Sequence, residues 1–194
     1  GDVFAVYGVT AMLAYFPGGL LADRFAARGL MSVSLAATAA GGLYLATFPG
    51  PAGLAVLYGY WGVTTIFLFW AAMIRATRDW GGATAQGRAF GLLDGGRGLA
   101  AAGFASLAVA GFAAMQPELD GGLDATTRAR AMRLVILFYS GVTFLAAIVI
   151  WRCLPATPVR ARRTAVAEDP GFAVLRRPVV WLQAAVVVCA YCGY

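Results

Sequence analysis

Apolar residues recur along the chain in blocks close to the length that a helix needs to cross a bilayer, about 20 residues for ~30 Å of hydrocarbon. Val3–Ala22, Leu54–Ile74, Phe90–Ala114 and Leu134–Leu154 reach that length, Leu30–Phe48 adds nineteen residues, and Val179–Tyr194 begins a sixth block. Each block is apolar all round, so each is predicted to be a transmembrane helix. The expected fold class is all-α, a polytopic transmembrane helical bundle. Residues 1–154 form the first bundle, 155–178 a polar and proline-containing flexible joint, and 179–194 the first part of a further helix. The chain opens in one hydrophobic block and closes inside another, without a Met start or a signal-peptide n-region, so it is expected to be a piece of a longer protein.

Composition sharpens this picture. Hydrophobic residues make up 61% of the chain and charged residues 12%, against ~25% charged in soluble domains. One soluble core has no room for so many apolar faces; a bilayer has. All 15 basic residues are Arg, with no Lys and no His. Together with abundant Ala and Gly, that fits the codon bias of a high-GC bacterial genome.

The net charge of +6 does not point to nucleic acid, because the arginines follow the predicted membrane. Arg24 and Arg28 lie in the first link, Arg75, Arg78 and Arg88 in the third, and Arg152, Arg160, Arg162, Arg163, Arg176 and Arg177 in the fifth. The second link, Pro49–Gly53, is uncharged, and the fourth carries Arg128, Arg130 and Arg133 diluted by Glu118, Asp120 and Asp124. By the positive-inside rule, links one, three and five face the cytoplasm of an inner, or plasma, membrane. Asp124 is placed to cap a short helix through Thr126 and Thr127.

The first link carries the most informative motif. Gly19-Leu20-Leu21-Ala22-Asp23-Arg24, followed by Arg28, resembles the G-x-L-A-D-R-x-G-R-[RK] signature of the major facilitator superfamily, although Ala26 and Ala27 stand where the family has Gly and a basic residue. Gly18 and Gly19 would allow close helix approach. Asp23 sits unfavourably at a helix C-terminus, which calls for an Arg partner or a helix to cap. A second stretch, Trp80 to Gly91, is similar to the segment between TM4 and TM5 in the organic-anion and organophosphate:phosphate antiporter branch. It keeps Trp80, Gly87, Arg88 and Gly91, with Gly81, Gly82, Ala85 and Gln86 departing from the pattern.

The resemblance implies the N-terminal half of a major facilitator fold without TM1, plus the start of TM7. It implies a gating role for Gly19, Asp23, Arg24 and Arg28; Arg75, Arg78 and Arg88 of the third link are expected to form a cytoplasmic network. The near-match of Gly82 to Ala89 to a phosphate-binding loop fails, since it lacks the Lys and the Ser/Thr and follows a helix.

Asp94 and Arg97 fall inside a predicted span, where an unpaired charge costs ~2.5–3.5 kcal/mol or more. At i,i+3 they can pair. Two roles are open: attraction of an anionic solute or proton coupling, and a structural ion pair joined to the network of Arg75 and Arg78. Gly91, Gly95, Gly98, Ala102 and Ala105 form a small-residue stripe beside them, expected to pack tightly inside the bundle. Tyr58, Trp61 and Thr65 share one helical face and are the preferred cavity residues. Tyr7 and Thr10, Tyr139 and Thr143, and Trp181, Gln183 and Tyr191 are further polar groups on other spans.

Cys189-x-x-Cys192 lies in a hydrophobic helix without a second pair and, like Cys153, reads as a structural thiol. With no His or Lys as base, no metal cluster and no cofactor motif, the sequence is not that of an enzyme. The expected function is secondary active transport of a small solute, an organic anion being one option, with the lipid bilayer, the solute and a coupling ion as partners. The alternative is a transporter-like sensor that binds a ligand and signals without flux.

Overall fold

Pro51 occupies the first position of a helix whose N-cap is Gly50, where its missing N–H and fixed φ suit the start of a helix. That helix runs unbroken from Pro51 to Gly81. It comprises α3 (Pro51–Gly62), a π-helical segment (Val63–Trp70) and α4 (Ala71–Gly81). Gly82, at φ +57°, ends it in a left-handed conformation that suits glycine. Before it come α1 (Asp2–Arg24) and α2 (Ala27–Leu45), and after it α5 (Gln86–Ala114) and α6 (Ala125–Cys153). These elements come from a computed structural model that describes residues 2–114, 125–155, 178–179 and 181–182.

The described residues form an all-α bundle with no strand, as the hydropathy pattern predicts. The chain divides into two units, Gly1–Thr157 and Pro158–Tyr194. The described residues of the second, Pro178, Val179, Trp181 and Leu182, are helical and exposed. Glu118, Asp120, Asp124, Gln183, Cys189, Tyr191, Cys192 and most of the joint at 155–178 lie outside the described residues.

Each of the first five hydrophobic blocks falls on a helix, but the helices are not equally apolar. Pro51–Gly81 and Thr126–Cys153 are long and apolar enough to cross a membrane by themselves. α1 is a third if its two limbs, which meet at a 51° bend beside Pro17, count as one span. The proline ring removes a donor and crowds the preceding turn, which is the usual origin of such a bend. α2 and α5 fall short of the same measure. α2 is diluted by Arg28, Ser32, Ser34 and Thr38, and α5 by glycines and by Arg88, Asp94 and Arg97.

Packing relies on small residues. Ala22, Ala27, Leu30, Met31, Ala72 and Met73 form one buried cluster, with Ile150 and Leu154 against it. Ala11, Ala14 and Ile66 form a second. A Cβ added at Gly18 would lie 2.9 Å from the backbone oxygen of Phe67. Gly62 abuts the Thr10 side chain and the Tyr7 carbonyl, so α1 and the long helix meet almost backbone to backbone, while Gly41 makes room on α2 for the Trp61 indole and Gly42 for the Ser140 side chain of α6.

The opposite holds at Gly19, where a Cβ would have nothing within 4 Å. Of the two motif-region glycines, only Gly18 serves close approach. The stripe on α5 also departs from expectation. Gly91, Gly95 and Gly98 have open space at the Cβ position, and Ala102 and Ala105 are exposed. No described residue covers that face, so it does not pack inside this bundle.

Contacts between helix ends establish which links share a side. Arg75, near the end of the long helix, donates to carbonyls at the end of α1. Arg28, at the start of α2, lies 4.7 Å from the ring centroid of Trp151 at the end of α6. Links one and three and the start of link five are therefore at one end of the bundle. At the other end, Arg133 of α6 donates to the carbonyl of Ala46 at 3.1 Å, which brings link two beside the start of α6. The alternation of charge along the sequence matches this alternation of ends.

Candidate functional site

Two regions collect the polar groups that an apolar bundle would otherwise exclude. The first lies where the π-helical segment meets α1 and α2. Thr65 Oγ1 donates to the carbonyl of Trp61 at 2.6 Å. Tyr7 Oη of α1 lies 3.1 Å from the same hydroxyl and, with the Thr65 proton already committed, is the donor there. Trp61 Nε1 donates to the carbonyl of Thr38 on α2 at 3.1 Å. Tyr58 packs edge-on against Trp61, with ring centroids 5.4 Å apart, and against Phe4 at 5.2 Å. Its hydroxyl has no hydrogen-bond partner among the described residues.

The predicted trio Tyr58, Trp61 and Thr65 is thus brought together, and Tyr7 joins it. Thr10 stands one turn further along α1, with its hydroxyl turned back to the carbonyls of Val6 and Tyr7. Three residues behind the trio were not singled out by sequence. Ser34 Oγ donates to the carbonyl of Thr64 at 2.6 Å, and Thr38 Oγ1 lies 3.1 Å from Thr64 Oγ1. Ser34 and Thr38 are four residues apart on α2, the spacing that places two hydroxyls on one face. On α6, Thr143 Oγ1 returns to the carbonyl of Tyr139 at 2.8 Å, and Tyr139 packs against Phe138.

The second region is the end bearing links one and three. Arg75 is 6% exposed. Its guanidinium donates to the Ala22 carbonyl and, at 3.3 Å, to that of Phe25, and its Nε lies 3.7 Å from Asp79 Oδ2. The last carbonyls of a helix lack intrahelical donors and carry the negative end of its dipole, so a cation there satisfies both deficits. Asp23 and Arg24 are exposed at the end of α1, without a hydrogen bond or ion pair among the described residues. Arg28 is held over Trp151 as a cation–π contact.

The three arginines of the predicted network have different surroundings. Arg75 is buried against α1. Arg78 is exposed, with its backbone carbonyl accepting from Gln86 Nε2 at 2.9 Å. Arg88 lines a cavity of about 220 Å³ with Trp80, Gly81, Ala85 and Ala89.

Asp94 and Arg97 do pair, at 3.3 Å, but both side chains are open, at 65% and 57% exposure. Arg97 also lies 5.6 Å from the ring centroid of Trp70, at the end of the π-helical segment. The pair does not reach Arg75 or Arg78. Its helix face is the uncovered one.

The sequence profile of the Major Facilitator Superfamily matches residues 1–194. Among curated proteins, the chain is similar to Inner membrane protein YqcE of Escherichia coli (strain K12), 28% identical over 78% of this chain and 33% of that protein. It is similar also to Inner membrane protein YihN of the same organism, 28% identical over 100% of this chain and 46% of that protein. The chain therefore spans less than half the length of these relatives. No solved structure matches it.

Proposed function

The chain belongs to the major facilitator superfamily and is part of a multi-pass inner-membrane protein, and from that premise we propose that the whole protein is a secondary active transporter of a small solute. In this reading two helical bundles rock about a central site, and residues 1–154 belong to the first of them. Tyr7, Tyr58, Trp61 and Thr65 form this bundle's share of the solute path. The observation that carries the assignment is their convergence on one stretch of the long helix, with the Tyr58 hydroxyl left available. An aromatic wall with few polar groups is what a small-solute site needs for orientation and affinity.

Asp94 and Arg97 fit a role at the face that meets the rest of the protein. An exposed ion pair inside a span is costly against lipid, so a partner helix or an aqueous path is its natural neighbour. An intramembrane Arg also favours an anionic solute. Asp23, without a partner among the described residues, fits a gate residue whose partner lies elsewhere in the whole protein.

Proteoliposomes with the whole protein test this reading, using a panel of radiolabelled organic phosphates and carboxylates. We expect saturable counterflow of at least one anion, lowered about tenfold by Arg97→Ala, as loss of about 1.4 kcal/mol of binding would give. Binding of a panel anion without counterflow contradicts the proposal.

A further inference from the structure

The long helix contains an unusual stretch, eight residues from Val63 to Trp70 in π-helical pairing. A π turn bonds i to i+5 and takes up one residue more than an α turn, and it is usually confined to a single turn. Every residue beyond it therefore presents a shifted face. The stretch separates the face of Tyr58 and Trp61 from the face of Arg75, so its register decides how those two faces are oriented relative to each other.

The groups that hold this register come from neighbouring helices. Ser34 is the most deeply buried polar side chain of α2, at 1% exposure, and its hydroxyl donates to the Thr64 carbonyl at 2.6 Å. Thr38 Oγ1 reaches Thr64 Oγ1, and Thr64 Oγ1 in turn lies 3.4 Å from the carbonyl of Trp61, which also accepts from Thr65. Side chains thus supply hydrogen bonds at the entrance to the π stretch, where regular α pairing is lost. Gly18 lets α1 rest directly on the backbone at Phe67, within the same stretch.

We propose that Ser34 is a positioning residue for transport. By binding the Thr64 carbonyl it fixes the π register, and that register ties the Tyr7–Thr65 face to the grip of Arg75 on the end of α1. A change of solute at the first place is thereby felt at the second, ten residues and about 15 Å along the helix at ~1.5 Å per residue. This inference rests on the transport reading for its purpose, but its structural content is tested without any solute.

Hydrogen exchange of the whole protein in nanodiscs, read by mass spectrometry, separates the outcomes. Ser32 provides a control, being buried on the same helix with a hydroxyl that has no partner among the described residues. Ser34→Ala should raise exchange about tenfold at Val63–Trp70 and also at Ala22–Phe25, consistent with loss of one buried hydrogen bond. Ser34→Thr, which keeps the hydroxyl, should raise exchange less than Ser34→Ala at both places, and Ser32→Ala should leave both unchanged. Increased exchange confined to Val63–Trp70, or equal effects of the two alanine variants, overturns the proposal. Failure of counterflow with this exchange pattern intact would instead count against the transport reading alone.

Discussion

Arg75 and Arg133 show one residue type serving the same physical need at opposite ends of the bundle. Each donates to backbone carbonyls at the end of a neighbouring helix, Arg75 to α1 and Arg133 to α2. The difference is solvent. Arg75 is buried, whereas Arg133 is exposed and leans over the Phe48 ring at 5.3 Å. Removing a buried charged donor strands its acceptors, at about 2–3 kcal/mol, while the exposed case should cost about 1 kcal/mol or less because water replaces the arginine.

Unfolding titrations of the purified protein in detergent check this, with Arg75→Ala predicted to lose more stability than Arg133→Ala. At this scale the sequence is a partial guide. The pairing of Asp94 with Arg97 follows from i,i+3 spacing and is visible in the letters. The burial of Arg75 is not, since the same arginine in the same register also reads as a solvated charge that sets topology.

At the scale of elements, helix positions were legible and helix contacts were not. Twenty-residue apolar runs can hardly be anything but spans, so the blocks around Leu54–Ile74 and Leu134–Leu154 fall on the two strongest membrane helices. The π register at Val63–Trp70 leaves no periodic signal, because the only polar side chains of Val-Thr-Thr-Ile-Phe-Leu-Phe-Trp are two adjacent threonines, too few to trace a face that shifts. The two glycines at the end of α1 look alike in sequence and differ in surroundings.

Gly18→Ala and Gly19→Ala should both gain helix propensity, up to about 1 kcal/mol. Only the first pushes a Cβ against the backbone at Phe67, at a cost of about 1–3 kcal/mol. We expect Gly19→Ala to raise the melting temperature and Gly18→Ala to lower or not improve it. A stabilised Gly18→Ala variant would mean that α1 does not rest on the π segment.

Across the whole molecule, charge and geometry agree on sidedness. The bundle brings links one and three and the start of link five to one end, and those links carry eleven of the fifteen arginines by the positions read along the chain. The face of α5 that carries the glycines and the ion pair is left uncovered by the described residues, and it marks where they stop satisfying one another.

The most direct test of the account is therefore accessibility mapping with a membrane-impermeant thiol reagent. It would use whole-protein variants with one cysteine each: the native Cys153, which is exposed at the end of α6, Phe25→Cys in the first link, and Gly50→Cys in the second link. Cys153 and Phe25→Cys should react only from the cytoplasmic face, in inverted vesicles, and Gly50→Cys only in right-side-out vesicles. Reaction of Cys153 and Phe25→Cys from opposite faces would contradict both the threading of the helices and the function built on it.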